Sequence, residues 1–291
     1  MATIENEYSS TLPVPDTVVP ERFVGRWLSG GVAVLLAFLL CYSLATNPNI
    51  DYAAIREFLF NARILDGLAI TLELAVISMP IGILIGLILA LCRLSSNPVT
   101  GVISWVYIWV FRGTPLLVQV LFWGNFALFY KHITLGIPFT DIVLASWSSN
   151  AIITTFVASV LALSLHEAAY MAEIIRSGIQ SVSVGQHDAA LALGMTPRQV
   201  MRKVVLPQAL RVIVPPTGNQ FINLLKMTSL VAVIAGGDLL SKVLNISAVN
   251  LKTIELLIVA SLWYLLVVSI TSIGQAMLER RLGRGTKTAS Y

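Results

Sequence analysis

The sequence predicts an all-α protein, a polytopic bundle of about six transmembrane helices. Hydrophobic residues make up 56% of the 291-residue chain and charged residues only 12%, with a mean hydropathy of +0.82. Several uncharged runs approach or exceed the roughly 20 helical residues that cross a bilayer. The polar segments between these runs carry helix-start and helix-stop signals. This composition excludes an ordinary soluble domain.

The N-terminal 50 residues divide into a tail and an apolar run. Residues 1–26 mix acids, bases and prolines, which is typical of a disordered tail. Residues 27–50 contain no charge and are long enough to form a transmembrane helix. A cleaved signal peptide is the alternative, but its leader would be short and basic, whereas this leader is long and contains acids. We therefore favour a retained, extra N-terminal transmembrane helix.

Residues 65–282 contain the other five predicted spans and are interpreted as one transmembrane domain. The spans are predicted at 67–92, 113–130, 142–165, 212–237 and 256–278, with an interfacial stretch at 98–112 and polar connections at 131–141 and 238–254. Residues 51–64 are expected to form a polar, helix-like segment at the outer face. Trp105, Tyr107 and Trp109 fit the headgroup region, where aromatic side chains are enriched.

The positions of the cations predict the orientation. With both termini inside, thirteen of the nineteen Lys and Arg residues lie on the inner side, five lie outside, and Lys226 lies within the membrane. The inner set is Arg22, Arg26, Arg93, Arg112, Arg176, Arg198, Arg202, Lys203, Arg211, Arg280, Arg281, Arg284 and Lys287; the outer set is Arg56, Arg63, Lys131, Lys242 and Lys252. Because cytoplasmic loops carry the excess of Lys and Arg, the loop at 167–211 is predicted to be cytoplasmic.

This loop carries the clearest helix punctuation in the chain. Ser183 with Gln186, and Thr196 with Gln199, are capping-box patterns. Gly194 falls where a left-handed helix end is expected, and Pro197 suits a first helical position. A second proline, Pro207, is expected to stop or bend the helix. The sequence therefore predicts two short helices, at 184–193 and 197–205, joined by a sharp turn.

The second of these helices has two faces. Val200, Val204 and Val205 recur at helical spacing, and the cations at 198, 202 and 203 point elsewhere. Two interpretations fit this pattern: a basic amphipathic loop on the membrane surface, or a rigid docking element for another protein. The spacing alone leaves both open.

At these residues the chain resembles a known family. Asp188-Ala189-Ala190, Gly194, Val204 and Leu206-Pro207 resemble the EAA signature of ABC-importer permeases, in which E-A-A is followed by three residues, G, nine residues and I-x-L-P. Asp188 replaces Glu and Val204 replaces Ile, and both changes keep charge or shape. Further segments resemble the polar amino-acid branch, which imports histidine, glutamine and arginine: 111–119, 170–173, 206–209, 219–221 and 226–230. The resemblance covers about 65–282.

The resemblance implies a mechanism and partners. In that family the loop, here about 177–211, is cytoplasmic and fits a groove on an ATP-hydrolysing subunit. The residues implied in this coupling are Asp188, Ala189, Ala190, Gly194, Val204, Leu206 and Pro207. The expected partners are two ATPase subunits, a second permease subunit of the same or a sister kind, a periplasmic solute-binding protein and membrane lipid, with no nucleic acid. The expected location is the bacterial inner membrane.

The energy source is expected to lie outside the chain. No G-x-x-x-x-G-K-[ST] run is present to hold nucleotide phosphates. We therefore expect a transport subunit that is not itself an enzyme and has no cofactor of its own, with ATP bound by the partner. Three His and two separated Cys give no metal-ligand spacing.

Polar groups inside predicted spans indicate a substrate path. Asn219, Asn223 and Lys226 share one helical face, and charged groups at membrane depth usually face a partner or a watery pathway. Their candidate companions are Glu73, Gln119, Glu167 and Glu173. The alternative is a structural Lys–Glu pair between helices.

An ion-coupled secondary transporter of amino acids is the alternative function. Glu73 and Glu173 are compatible with it, but we find no inverted repeat of the kind such transporters use. A membrane enzyme would need a convergent catalytic constellation, and the sequence has none.

Overall fold

The computed structural model describes residues 24–137 and 142–282. The chain divides into two units, Met1–Ile50 and Asp51–Tyr291. Residues 1–23 of the predicted tail at 1–26 lie outside the described residues. Arg284 and Lys287 of the basic C-terminal segment also lie outside them.

In the first unit the predicted anchor forms helix α1, Val24–Ala45, whose apolar part is Trp27–Ser43. The helix ends before residue 50 because Pro48 cannot continue it. Asn47 stabilises the following turn by accepting a hydrogen bond from the Asn49 N–H at 3.0 Å. The apolar part is shorter than the other candidate spans, so membrane crossing by α1 stays a prediction.

The second unit is almost entirely helical, which confirms the predicted fold class. Its elements are α2 (Tyr52–Leu59), α3 (Ala62–Leu94), α4 (Pro98–Gly113), α5 (Leu116–Gly124), α6 (Phe126–Phe129), β1 (His132–Gly136), β2 (Val143–Ser148), α7 (Ser149–Ile152), α8 (Thr155–Gln180), α9 (Val184–Ala192), α10 (Pro197–Val200), a π segment (Met201–Val205), α11 (Leu206–Met227), a 3₁₀ segment (Thr228–Ile234), α12 (Leu239–Asn250) and α13 (Thr253–Leu282). The two strands form one antiparallel hairpin.

Among the described residues, three helices are long and apolar enough to cross a membrane by themselves: α3, α8 and α13. Two bent pairs can each supply one more span. Helices α4 and α5 meet at 100°, and the helical stretch Pro197–Ile234 meets α12 at 44°. The second unit therefore has up to five candidate spans, and six is reached only if α1 also crosses.

Three sequence predictions about this unit were wrong. The span expected at 142–165 begins only at Thr155, because the Val- and Trp-containing stretch before it forms β2 and the Thr154 side chain caps α8. The span expected at 113–130 is broken: it contains the short helices α5 and α6. Helix α4 occupies the stretch at 98–112, whose interfacial position stays a prediction. Residues 238–254 are mostly helix α12, whose first N–H groups are capped by the Asp238 carboxylate.

Helices α3 and α8 pack closely and run in the same direction. A Cβ added at Gly82 would lie 2.9 Å from the Glu167 Cβ, and one at Gly86 would lie 2.7 Å from the Met171 Cβ. Two small residues four apart let helix backbones approach in this way. The C-terminal ends of α3 and α8 therefore lie at the same end of the bundle, which is also where the 177–211 loop begins.

Candidate docking site and membrane polar network

The first helix of the loop is α9, which contains Asp188, Ala189 and Ala190. The capping box predicted at Ser183 is absent, since the Ser183 side chain makes no cap hydrogen bond. Its backbone carbonyl instead accepts a hydrogen bond from the Gln186 N–H at 3.0 Å.

The turn between the two helices has the predicted geometry. Gly194 has φ +79°, the left-handed conformation that favours glycine. The Gly194 N–H donates to the Leu191 carbonyl at 2.9 Å, and the Met195 N–H donates to the Ala190 carbonyl at 3.2 Å. The capping box at Thr196 is confirmed: its N–H donates to Gln199 Oε1 at 2.8 Å, and the Gln199 N–H donates to Thr196 Oγ1 at 3.4 Å.

The second helix does not stop at Pro207, which was one of the two outcomes that the sequence left open. Helix α10 runs through the π segment directly into α11, with the Leu206 N–H donating to the Met201 carbonyl. Pro207 has no N–H to donate, and it falls in the first turn of α11 where this loss is tolerated. The Gln208 side chain donates to the Val204 carbonyl at 3.0 Å. The turn is thus followed by one continuous helical stretch into the bundle.

The loop has its own small apolar core. Ala190, Val200 and Val205 are buried together, with Val204 and Met195 packed against them. This confirms the predicted apolar face of the second helix. The cations at 198, 202 and 203 are exposed. The outer surface also exposes apolar side chains, Leu193 at 84% and Val184 at 73%.

The face of α11 that is predicted to line a substrate path lies on the surface of this subunit. Asn219 and Lys226 are exposed and Asn223 is half-buried, while Glu73 on α3 is exposed. Among the described residues, no ion pair joins Lys226 or Glu73 to another side chain. The structural Lys–Glu pair that the sequence left open is therefore not formed between residues that the structure describes.

Gln220 connects this face to the bundle interior, a role that the helical spacing did not indicate. Its Nε2 donates to both carboxylate oxygens of Glu167, at 3.2 and 3.4 Å, and its Oε1 accepts from Asn223 Nδ2 at 3.4 Å. Glu167 is fully buried, at 0% exposure. A buried carboxylate needs such donors because burial without partners is costly. The network runs from the interior of α8 to the predicted path.

Gln119 and Glu173 lie in other surroundings. Gln119 Nε2 donates to the carbonyls of Phe111 and Thr114 at 3.0 and 3.1 Å and to Thr114 Oγ1 at 2.9 Å, which holds the α4–α5 bend. Glu173 pairs with Arg176 at 2.7 Å. The Gln119 amide nitrogen and the Glu173 carboxylate are thus engaged within the chain, whereas the buried Gln119 Oε1 has no hydrogen-bond partner among the described residues.

These features define the class of protein: a helical membrane permease whose bundle carries a rigid, protruding docking loop. Residues 82–284 match the family of binding-protein-dependent transport system inner membrane components. The chain belongs to this family and is an ABC-importer permease of the amino-acid type that the EAA-like residues indicated. It is a multi-pass protein of the inner membrane, and ATPase and binding-protein partners are general features of the family.

Several proteins are similar to this chain. The arginine transport system permease protein ArgU of Corynebacterium glutamicum is 41% identical over 96% of this chain and 86% of its own length. The glutamate/aspartate import permease protein GltK of Escherichia coli O6:H1 is 41% identical over 75% of this chain and 92% of its own length. A crystal structure of an amino acid ABC transporter with histidines has 35% identity and a TM-score of 0.68, covering 80% of this chain and 99% of that chain.

Proposed function

We propose that this permease carries a polar amino acid into the cell, with arginine as the first substrate to test. The support is the similarity to ArgU, which covers 96% of this chain and so includes α1, whereas the similarity to GltK covers 75%. Permeases for arginine and for glutamate/aspartate are both similar to this chain. A panel of substrates is therefore needed to decide which side-chain charge the transported amino acid carries.

The observation that carries the coupling proposal is the continuity between docking loop and membrane helix. Helix α10, the π segment and α11 form one stretch from Pro197 to Met227. It begins at the capped turn and passes Asn219, Asn223 and Lys226. A push on the loop by an ATPase would therefore be transmitted to the polar face. Asp188, Ala189, Ala190, Gly194, Val204, Leu206 and Pro207 are the proposed coupling residues.

The proposed assembly contains two ATPase subunits, a second permease of the same or a sister kind, and a periplasmic binding protein. ATP is bound and hydrolysed on the ATPase subunits, so that this chain acts without its own cofactor and is not an enzyme. Both termini and the 177–211 loop lie in the cytoplasm, in agreement with the distribution of Lys and Arg.

The proposed substrate path uses the exposed polar groups Glu73, Asn219, Asn223 and Lys226. Lys226 would meet the substrate carboxylate and Glu73 its amine, since each has no ion-pair partner among the described side chains. Gln119 and Glu173 are also proposed path residues, although the Gln119 amide nitrogen and the Glu173 carboxylate are bonded within the chain. Glu167 and Gln220 would position Asn223 through their hydrogen-bond network on the interior side of the path.

Transport by purified components tests this function. The permease, its co-purified ATPase and the binding protein would be reconstituted in proteoliposomes, and uptake of labelled arginine, glutamine and glutamate measured. We expect uptake that requires ATP inside and is insensitive to ionophores. Uptake that follows an ion gradient without ATP would instead support a secondary transporter.

Changing Lys226 to Gln tests the path separately from assembly. We expect uptake to fall about tenfold or more, because loss of a charge-assisted contact costs 1.5–3 kcal/mol or so. The matched control is Lys131→Gln, which removes an exposed cation outside the path. Normal uptake by a fully assembled Lys226→Gln transporter would remove Lys226 from the mechanism.

A further inference from the structure

Three arginines from three different helices converge on one cavity at the end of the bundle where α3 and α8 both terminate. The cavity has a volume of about 510 Å³. Its lining includes Arg93 of α3, Arg112 of α4 and Arg176 of α8, together with the aromatic residues Trp105, Trp109 and Tyr170 and one acid, Glu173. None of the other proposed path residues lines it.

The cavity carries an excess of positive charge. Arg176 is neutralised by Glu173 at 2.7 Å and donates to Gln180 at 2.6 Å. Arg112 lies over the Tyr170 ring, 5.2 Å from its centroid. Within residues 24–137 and 142–282, no carboxylate pairs with Arg93 or Arg112. Two guanidinium groups are therefore available for an anion, with donors suited to phosphate oxygens.

Favourable helix-end electrostatics do not account for this arrangement. Arg93 and Arg112 each lie in the last turn of their helix, where a cation is stabilised by the helix dipole. That effect explains each arginine singly. It does not explain why both face the cavity that Arg176 also lines.

The apolar surroundings identify the kind of anion. Helix α4 exposes Val102 and Val106, and Trp105 and Trp109 stack on each other with ring centroids 6.1 Å apart. Helix α4 lies at 100° to α5, so the two helices cannot both run along the membrane normal. Amphipathic aromatic residues and basic pockets between helices are typical of the headgroup region on the cytoplasmic side.

We propose that this cavity binds the phosphate of an anionic glycerophospholipid from the cytoplasmic leaflet. The proposal rests on the proposed function for its orientation, since Arg176 lies at the end of α8 that leads into the docking loop. Arg93 and Arg112 hold the phosphate, and the acyl chains lie along the apolar side chains of α4. The lipid would then join α4 to the ends of α3 and α8.

Native mass spectrometry of the permease–ATPase complex tests the proposal. Phosphatidylglycerol, phosphatidylcholine with the same acyl chains, and inorganic phosphate would be titrated against the wild type, Arg93→Gln/Arg112→Gln, and the control Arg63→Gln. Arg63 is an exposed cation at the opposite end of α3. We expect wild type and Arg63→Gln to prefer phosphatidylglycerol, and the double variant to lose this preference by roughly fivefold or more.

Further variants separate charge from geometry. Arg93→Lys/Arg112→Lys should keep part of the preference, because the charge stays while the paired guanidinium donors are lost. If the double Gln variant fails to assemble, the single Arg93→Gln variant decides, since Arg93 is exposed at the helix end.

Three results would overturn the proposal. These are equal lipid preference in the wild type and the Arg93 variants, an equal loss in Arg63→Gln, or displacement of phosphatidylglycerol by millimolar inorganic phosphate, which would indicate a site for a soluble anion. Co-purification of the ATPase and ATP-driven uptake are measured on the same preparations. The lipid site can therefore fail while the proposed function stands.

Discussion

The two ends of the bundle are held together in different ways. The docking loop is stabilised by residues close in sequence: Thr196 with Gln199, and Ala190 with Val200 and Val205. At the opposite end, Asp51 pairs with Lys252, and Asp66 pairs with Lys242 at 2.6 Å. The docking end is therefore built from contacts within one short segment. The other end joins elements far apart in sequence, through these two ion pairs and through a buried apolar cluster that includes Ile64, Leu239 and Leu256.

The two kinds of contact also differ in strength. Exposed ion pairs contribute little, about 0–1 kcal/mol each. Burial of an apolar side chain contributes more, about 1.5–3 kcal/mol for a valine-sized group. We therefore expect the docking end to be most sensitive to changes in packing, and the opposite end to tolerate the loss of single charges.

Placing a charge in the small core of the docking loop should have the largest effect. Val200 is fully buried at 0% exposure, so that Val200→Asp would leave an unpaired buried charge, which costs about 3–5 kcal/mol. We expect loss of ATPase co-purification and rapid proteolysis of the loop in inside-out vesicles. The control Val184→Asp places the same charge on an exposed valine and should leave the loop resistant. Equal protease sensitivity of the two variants would refute a packed core.

The turn at Gly194 should show the next largest effect. Gly194→Ala forces a side chain into the left-handed region, at a cost of about 1–2 kcal/mol. We expect ATP-driven uptake to fall about tenfold with normal amounts of protein in the membrane. Gly185→Ala is the matched control, because no atom lies within 4 Å of a Cβ at that exposed helical position. If both variants transport equally, the turn geometry does not govern coupling.

The charges at the opposite end should have the smallest effect. Lys252→Gln removes the partner of Asp51, and we expect the Tm of the purified permease to change by only about 2 °C or less. Lys131→Gln removes an exposed cation that has no ion pair among the described residues, and serves as the control. A drop in Tm as large as that of Val200→Asp would mean that the charged end carries the stability.

The Asp51–Lys252 ion pair also predicts how the stability of the permease changes with pH. The hydrogen bond from Lys252 lowers the pKa of Asp51, with a further contribution from the Ala54 N–H, and the same hydrogen bond raises the pKa of Lys252. The contribution of Asp51 to stability is therefore complete above the ordinary Asp value of 3.8 and is lost as pH falls below it. That of Lys252 is complete below 10.5 and is lost at higher pH. Between about pH 5 and 9, the contribution of the Asp51–Lys252 pair to the Tm should therefore not change with pH, which melting curves of the wild type and Lys252→Gln would check.

The success of sequence-based prediction follows the range of the interactions. Gly194, Thr196 and Gln199 were predicted correctly because their contacts join residues three or four apart, although the same spacing gave no side-chain cap at Ser183. The apolar cores of α3 and α13 were located because length and hydropathy suffice for a membrane helix. Whether the helix stops or bends at Pro207 was left open, since a proline is compatible with either outcome and the π segment before it has no simple sequence signal.

What the sequence by itself determined is the helical membrane fold, the docking loop and the family to which the loop points. Each depends on composition or on contacts within a few residues. Only the tertiary structure decided that Gln220 bonds to Glu167 and that three arginines share one cavity. Those neighbours come from α8 and α11, or from α3, α4 and α8, which are brought together by helix packing such as that of α3 on α8 at Gly82 and Gly86.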